Sequence, residues 1–174
     1  ELELPLLGAH QLKNAAVVLS AVDALTAKGW QISEEQLRSG LKNVTWPGRF
    51  ELLRKDPIFF VDGGHNPQCM EALVRNIRDY LPGIPLTALT GVMADKDYQD
   101  MYSLTAPYVT RFVTVTPDNP RALPAQELAK QLASFGKPVT ACQSVREGVK
   151  AALSQTAPGE AVLAFGSLYM VGEI

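Results

Sequence analysis

The stretch "IFFVDGGHNP", Ile58 to Pro67, decides how this chain folds. Its opening run Ile58-Phe59-Phe60-Val61 is continuously apolar, the pattern of a strand buried on both faces of a sheet. Pro67 suits the first position of a helix and Asn66 the N-cap before it. Behind them Met70, Leu73, Val74, Ile77 and Leu81 recur at helical spacing. A buried strand that passes directly into a helix is the repeating unit of parallel α/β architecture.

The same alternation continues in both directions. Apolar, β-branched runs stand at Leu86–Val92, Phe112–Val115, Val139–Ala141 and Ala161–Phe165. Helix-length segments separate them: one near Asp97 with Tyr98, Met101 and Leu104, and one from Pro124 with Leu128, Leu132 and Phe135, closed by Gly136. Another starts at Ser144, where Glu147 completes a capping-box pattern. Phe50–Leu53 alternates more and reads as an edge strand. The expected fold from about Trp46 onward is α/β: a Rossmann-like, mainly parallel sheet with helices on both faces and one antiparallel edge strand. Before it, Gln11–Lys28 reads as a helix ended by Gly29, and Ser33 with Gln36 opens a second helix bearing Leu37 and Leu41. Trp46-Pro47-Gly48 marks the boundary.

Composition narrows the class. With 16 basic and 18 acidic residues the net charge is -2, so no overall field favours nucleic acid or an anionic membrane. Hydrophobic residues make up 47% and charged residues 20%, the balance of a soluble globular protein, and no apolar span is long enough to cross a bilayer. Cys69 and Cys142 stand alone, without metal-ligand spacing, and read as reduced thiols of a cytosolic protein. The chain starts at Glu1 without an initiator methionine, and the expectation is a piece excised from a longer protein.

In a parallel sheet, ligands sit outside the carboxyl ends of the strands, where loops enter helix N-termini. Asp62 and His65 occupy such a junction, and the helix cap does not require either of them. Asp62 could accept from ribose hydroxyls or simply bond loop amides; His65 could hold a carboxylate beside the helix N-terminus or pack as a satisfied surface histidine. Arg49, just after the Pro-Gly turn, carries a planar fork suited to phosphate or ribose oxygens, or is a solvated charge. At Gly91-Val92-Met93-Ala94-Asp95-Lys96-Asp97, Lys96 could reach a phosphate, while one of the aspartates is expected to cap the following helix. Ser167, after the last strand, either binds an anion or caps a short helix. For His10, in Gly8-Ala9-His10-Gln11, capping is the default, and Asn14 is an interior helical asparagine without a local role.

Some motifs are missing from these residues. There is no G-x-x-x-x-G-K-[ST] phosphate loop, no G-x-G-x-x-G fingerprint and no G-x-S-x-G elbow. The chain is therefore expected to hold part of a site rather than all of one. A free-standing, non-catalytic module that binds a nucleotide or amino acid is the alternative.

"LPLLGAHQLKNAA" (Leu4–Ala16), "WPGRFE" (Trp46–Glu51), "DGGHNP" (Asp62–Pro67), "GVMADKD" (Gly91–Asp97) and "FGSLY" (Phe165–Tyr169) together resemble folylpolyglutamate synthase, also a dihydrofolate synthase in many bacteria, within the Mur ligase superfamily. The motifs follow the family's order and cover nearly the whole chain. Cell-wall Mur ligases share the helical asparagine and the arginine turn and differ most at the aspartate loop; the C-terminal domain of such a cell-wall amino-acid ligase is the second alternative reading. One departure is Gly64, where the family usually shows alanine; the expectation is a slightly looser loop.

The resemblance implies a three-domain ligase of which this is the C-terminal part. Residues 1–45 would be the tail of the central ATPase domain, and residues 46–174 the C-terminal glutamate- and nucleotide-binding domain. The phosphate loop and the Mg2+ ligands would lie in the N-terminal part. By the resemblance, Asn14, Arg49 and Asp62 would contact ATP, with Asn14 facing the adenine. His65 and Ser167 would hold the incoming L-glutamate, and His10 and Lys96 are further candidates without an assigned role. The implied partners are ATP, L-glutamate, a folate substrate and the N-terminal P-loop domain of the same protein, in the cytoplasm, with no nucleic acid and no membrane.

Overall fold

Six strands form one sheet in the order β1-β2-β6-β3-β4-β5 in a computed structural model that describes residues 1–174. β1 (Glu51–Lys55) runs antiparallel to β2 (Ile58–Asp62) at one edge. The other pairings, among β2, β3 (Leu86–Thr90), β4 (Arg111–Thr114), β5 (Val139–Ala141) and β6 (Ala161–Phe165), are all parallel. This is the expected mixed sheet with its single antiparallel edge. The five residues of β3 and of β6 are buried throughout; β6 is an unbroken apolar run, while β3 carries the buried hydroxyls of Thr87 and Thr90 among its apolar residues. β1 is mostly exposed and carries a register irregularity between Leu52 and Arg54, a device that blunts a sheet edge.

Helices cover both faces. Phe59, Val61, Val162, Ala164, Leu89, Val113 and Val115 pack with Val145 and Ala152 of α6 (Val145–Ser154) and Met170 of α7 (Leu168–Gly172). The alternate residues face the other way. There the Tyr102 ring of α4 (Tyr98–Thr105) meets Phe112 and Phe165, each at 6.1 Å between centroids. Thr114 on this face donates to the carbonyl of Ala125 in α5 (Ala125–Ala133), and α3 (Pro67–Tyr80) packs beside α4. Right-handed crossovers explain the division. β2→β3→β4→β5 step one way across the sheet and place α3, α4 and α5 on one face, whereas β5→β6 steps back and places α6 on the other.

The caps follow the sequence with informative exceptions. Asn66 accepts from the Cys69 N–H with Pro67 at the start of α3, and Ser33 and Gln36 form the full capping box of α2 (Glu34–Lys42). At α6, Ser144 accepts from the Glu147 N–H, but the Glu147 carboxylate accepts from Gln143 rather than closing the box on Ser144. Asp97 occupies the N-cap of α4 without a side-chain capping bond, and Asp95 instead pairs with Arg121 at 3.5 Å, so neither aspartate caps as expected. The N-cap of α1 (Ala9–Ala27) is Gly8, which places His10 inside the helix rather than on its cap.

The chain divides into two units, Glu1–Pro47 and Gly48–Ile174. The first holds α1 and α2, with Lys42 paired to Glu3 at 3.1 Å and Arg38 to Glu34 at 2.6 Å. Leu12 and Val17 on α1 are exposed, and apolar residues run around this helix instead of along one stripe. The second unit holds the whole sheet.

Candidate functional site

The loops of interest leave the carboxyl ends of β2, β6 and β3. At this edge the last rung aligns Asp62 with Phe165 and Phe165 with Thr90. β2 and β3 send their following helices to one face, while β6, lying between them, sends α7 back over β6 and β2 on the other. Loops that part to opposite faces leave a crevice at such a switch point, the general location of ligand sites in open α/β sheets.

Asp62 organises the β2 side. It is 9% exposed, and its carboxylate accepts from the Phe50 N–H at 3.0 Å through Oδ2 and from the Gly64 N–H at 2.7 Å through Oδ1. One side chain thus ties the turn before β1 to the loop after β2. Of the two uses open to Asp62 in the sequence, the bonding of loop amides is the one seen here. A carboxylate has further lone pairs beyond these two bonds.

Phe50 is held in the left-handed region at φ 44 and is almost fully buried. Its ring stacks on Phe60 at 4.4 Å and meets Tyr80 at 5.5 Å. For a bulky residue this conformation costs of order 1–3 kcal/mol, and the ring stacking and the bond to Asp62 hold it in place. The consequence falls on Arg49, the preceding residue. Gly63 donates to the Gly48 carbonyl at 2.7 Å, and a Cβ at Gly63 would lie 2.7 Å from Arg49 Nη1 and 2.1 Å from Leu168 Cδ2. Glycine at this position is what lets the guanidinium lie against the β2 loop.

His65 Nδ1 lies 3.0 Å from the Gly63 carbonyl, so Nδ1 carries the proton and Nε2 is the ring's second polar atom. The β2 and β6 loops are joined directly: Gly166 N–H donates to Gly64 O at 3.0 Å. Ser167, buried after that amide, accepts from the Tyr169 N–H at 3.1 Å and caps α7. The expectation of a looser loop at Gly64 is corrected here. Gly64 is bonded through both its N–H and its carbonyl, and an alanine Cβ would lie 2.8 Å from Asp62 Oδ1 and 2.8 Å from Met70 Cε. The missing methyl makes room for the carboxylate bridge.

Arg49, Asp62, His65 and Ser167 therefore stand on loops that are bonded to one another within the second unit. Lys96 follows β3 on a loop tied to the segment after β4, through Ala94 N–H to Arg121 O at 2.8 Å and Leu123 N–H to Val92 O at 2.8 Å. Asn14 and His10 belong to the first unit, where Asn14 donates to Gln11 Oε1 at 2.9 Å. No group of three or more His, Cys, Asp or Glu side chains gathers to hold a metal ion. Sequence reasoning missed Phe50 and Thr90. Phe50 reads there as strand filler, because its backbone conformation leaves no mark on residue type. Thr90 had a signal, a hydroxyl at the end of an apolar strand just before the Gly91 junction.

Residues 48–168 match the family model described as Mur ligase, glutamate ligase domain. The chain belongs to this family. Beyond the Mur ligase domain itself, the chain is 31% identical over 176 residues to the folylpolyglutamate synthase of Lacticaseibacillus casei, covering 100% of this chain and 40% of that protein. The Mycobacterium tuberculosis folylpolyglutamate synthase solved in complex with ADP and AMPPCP superposes with a TM-score of 0.87 at 28% identity, over 98% of this chain and 40% of that one. Escherichia coli FolC in complex with DHPP and ADP gives 0.84 at 27% identity, over 99% and 39%. The Mur ligase chain described here thus spans about 40% of the length of the relatives it matches.

Proposed function

We propose that this chain is the C-terminal part of an ATP-dependent amide ligase of the folylpolyglutamate synthase type. Residues 1–45 would be the tail of its central ATPase domain and residues 46–174 its C-terminal domain. The observation that carries the reading is the joined set of loops bearing Arg49, Asp62, His65 and Ser167 at the carboxyl edge of β2 and β6. The complexes of the relatives with ADP, AMPPCP and DHPP support nucleotide and folate-type substrates for the whole protein.

In the proposed reaction a folate γ-carboxylate oxygen attacks the γ-phosphorus of ATP and releases ADP, giving an acyl phosphate. The amine of L-glutamate then attacks the acyl carbon, loses a proton, and phosphate departs as the amide forms. Arg49 would offer its fork to phosphate or ribose oxygens, Asp62 would accept from the ribose, and Asn14 would face the adenine. His65 and Ser167 would hold the glutamate carboxylate, setting its amine beside the activated carbonyl. Magnesium, held by the N-terminal part, would neutralise phosphate charge. We place the proposed reaction in the cytoplasm; no helix of this chain is long and apolar enough to cross a membrane.

The test uses the full-length ligase. Loss of a hydrogen bond to a charged group weakens binding by ~10–100-fold, so His65→Ala should raise the glutamate KM by that order, and Arg49→Ala the ATP KM. If His65→Ala leaves glutamate kinetics unchanged, that residue's assignment is wrong. If the unsubstituted protein releases no ADP in response to folate and glutamate, the ligase reading fails.

A further inference from the structure

We propose that Thr90, supported by Tyr102, is a positioning residue that aims the Gly166–Ser167 loop at the amino-acid substrate. The proposal rests on the ligase reading above for the identity of that substrate. Thr90 is fully buried at the carboxyl end of β3, in register with Phe165 at the end of β6. Its hydroxyl lies 2.7 Å from the Phe165 carbonyl and 2.6 Å from the Tyr102 hydroxyl. A carbonyl only accepts, so Thr90 donates to Phe165 and its oxygen accepts from Tyr102. The order is Tyr102 O–H to Thr90 Oγ1, then Thr90 O–H to Phe165 O. Burial holds the Tyr102 phenol well above its ordinary range, so the first donor keeps its proton.

The peptide unit between Phe165 and Gly166 is consequently held from both sides. Its carbonyl is fixed to β3 by the Thr90 hydroxyl, and its N–H is fixed to the β2 loop by Gly64 O at 3.0 Å. A peptide unit is planar, so fixing its two polar groups fixes its orientation and the direction in which the next residue leaves. Gly166 leaves at φ 118, and a Cβ there would lie 2.9 Å from both Gly91 O and Thr90 Oγ1. The same clamp joins the loop of Ser167 to that of His65, whose ring is itself held on Gly63 O. A change at Thr90 should therefore be felt where these loops hold the amino acid, and little where Arg49 meets the nucleotide.

Thr90→Val keeps the shape and removes the hydroxyl; Thr90→Ser keeps the hydroxyl and removes the methyl; Tyr102→Phe removes only the first donor. In the full-length ligase, Thr90→Val is expected to raise the glutamate KM by ~10-fold with the ATP KM unchanged. Thr90→Ser should restore it, and Tyr102→Phe should give a smaller rise in the same direction. Amide hydrogen exchange at Gly166 and Ser167 provides a readout independent of turnover: it should quicken in Thr90→Val and not in Thr90→Ser. Equal rises in both KM values, or an unchanged glutamate KM with unchanged exchange, would overturn the clamp. Quickened exchange in a protein that shows no glutamate-dependent ADP release would keep the clamp and remove the ligase reading instead. Should Thr90→Val not fold, Tyr102→Phe decides: wild-type glutamate KM and wild-type exchange in that variant sink the proposal.

Discussion

Asp62 reaches across from the end of β2 to the backbone of Phe50, accepting its N–H at 3.0 Å, while its other oxygen accepts the Gly64 N–H. Both oxygens meet donors, so Asp62→Asn must turn an amide NH2 toward one backbone N–H. A buried donor left facing a donor costs about 1–3 kcal/mol. Urea unfolding of the chain should show a loss of that size in Asp62→Asn, whatever the residue does for a nucleotide. An unchanged midpoint would mean that the carboxylate does not hold the two segments together.

Phe50 should be sensitive out of proportion to its place beside an edge strand. It is buried, stacked on Phe60 at 4.4 Å, and held at φ 44. Phe50→Ala is expected to cost about 3–5 kcal/mol, as for a buried aromatic replaced by a small residue. Leu52→Ala, on the exposed and irregular part of β1, should cost far less. Equal losses for the two, measured by chemical unfolding, would remove the special position assigned to Phe50.

The sheet was legible because the parallel strands stand as short, mostly apolar and β-branched runs between helix signals. Ile58–Val61, Phe112–Val115, Val139–Ala141 and Ala161–Phe165 all coincide with strands to within a residue. Asn66, Pro67 and Ser33 announced their caps through residue type. The loops of Asp62, His65 and Ser167 were found by their place at strand ends, a rule of topology rather than composition. Three features stayed hidden because each depends on how backbone and side chains meet in the fold rather than on residue type. These are the positive φ of Phe50, the carboxylate in the space a methyl would fill at Gly64, and the Thr90 clamp on Phe165. Asp95 illustrates the same limit: it sits where a cap is expected, and Arg121 takes it.

Asn76 marks a place where the fold carries a cost. It is 1% exposed on α3, and neither its Oδ1 nor its Nδ2 has a hydrogen-bond partner. Replacing such an amide with an apolar group of similar shape removes a desolvation penalty of about 1–3 kcal/mol. Asn76→Leu should therefore stabilise the chain in urea unfolding, with an unchanged dependence on denaturant concentration. A destabilised variant would show that the amide finds partners in solution.

Tyr102 predicts the alkaline behaviour of the fold. Desolvation by burial raises its phenol above the ordinary value of 10.0. The folded protein therefore keeps a proton that the unfolded chain gives up near pH 10.0. A raised folded-state value contributes stability that is fully present below the unfolded value and is lost as pH climbs above it. The loss approaches about 1.4 kcal/mol per pH unit. Tyr102→Phe has no such proton. Its stability deficit relative to the wild type, from the lost bond to Thr90, should be constant from about pH 7 to pH 9 and shrink above pH 10. The comparison is made by denaturant unfolding of both proteins at several pH values, so that other titrating groups cancel in the difference. A deficit that stays constant to about pH 11.5 would mean the phenol ionises in place, and that Thr90 rather than Tyr102 is then the donor between the two hydroxyls.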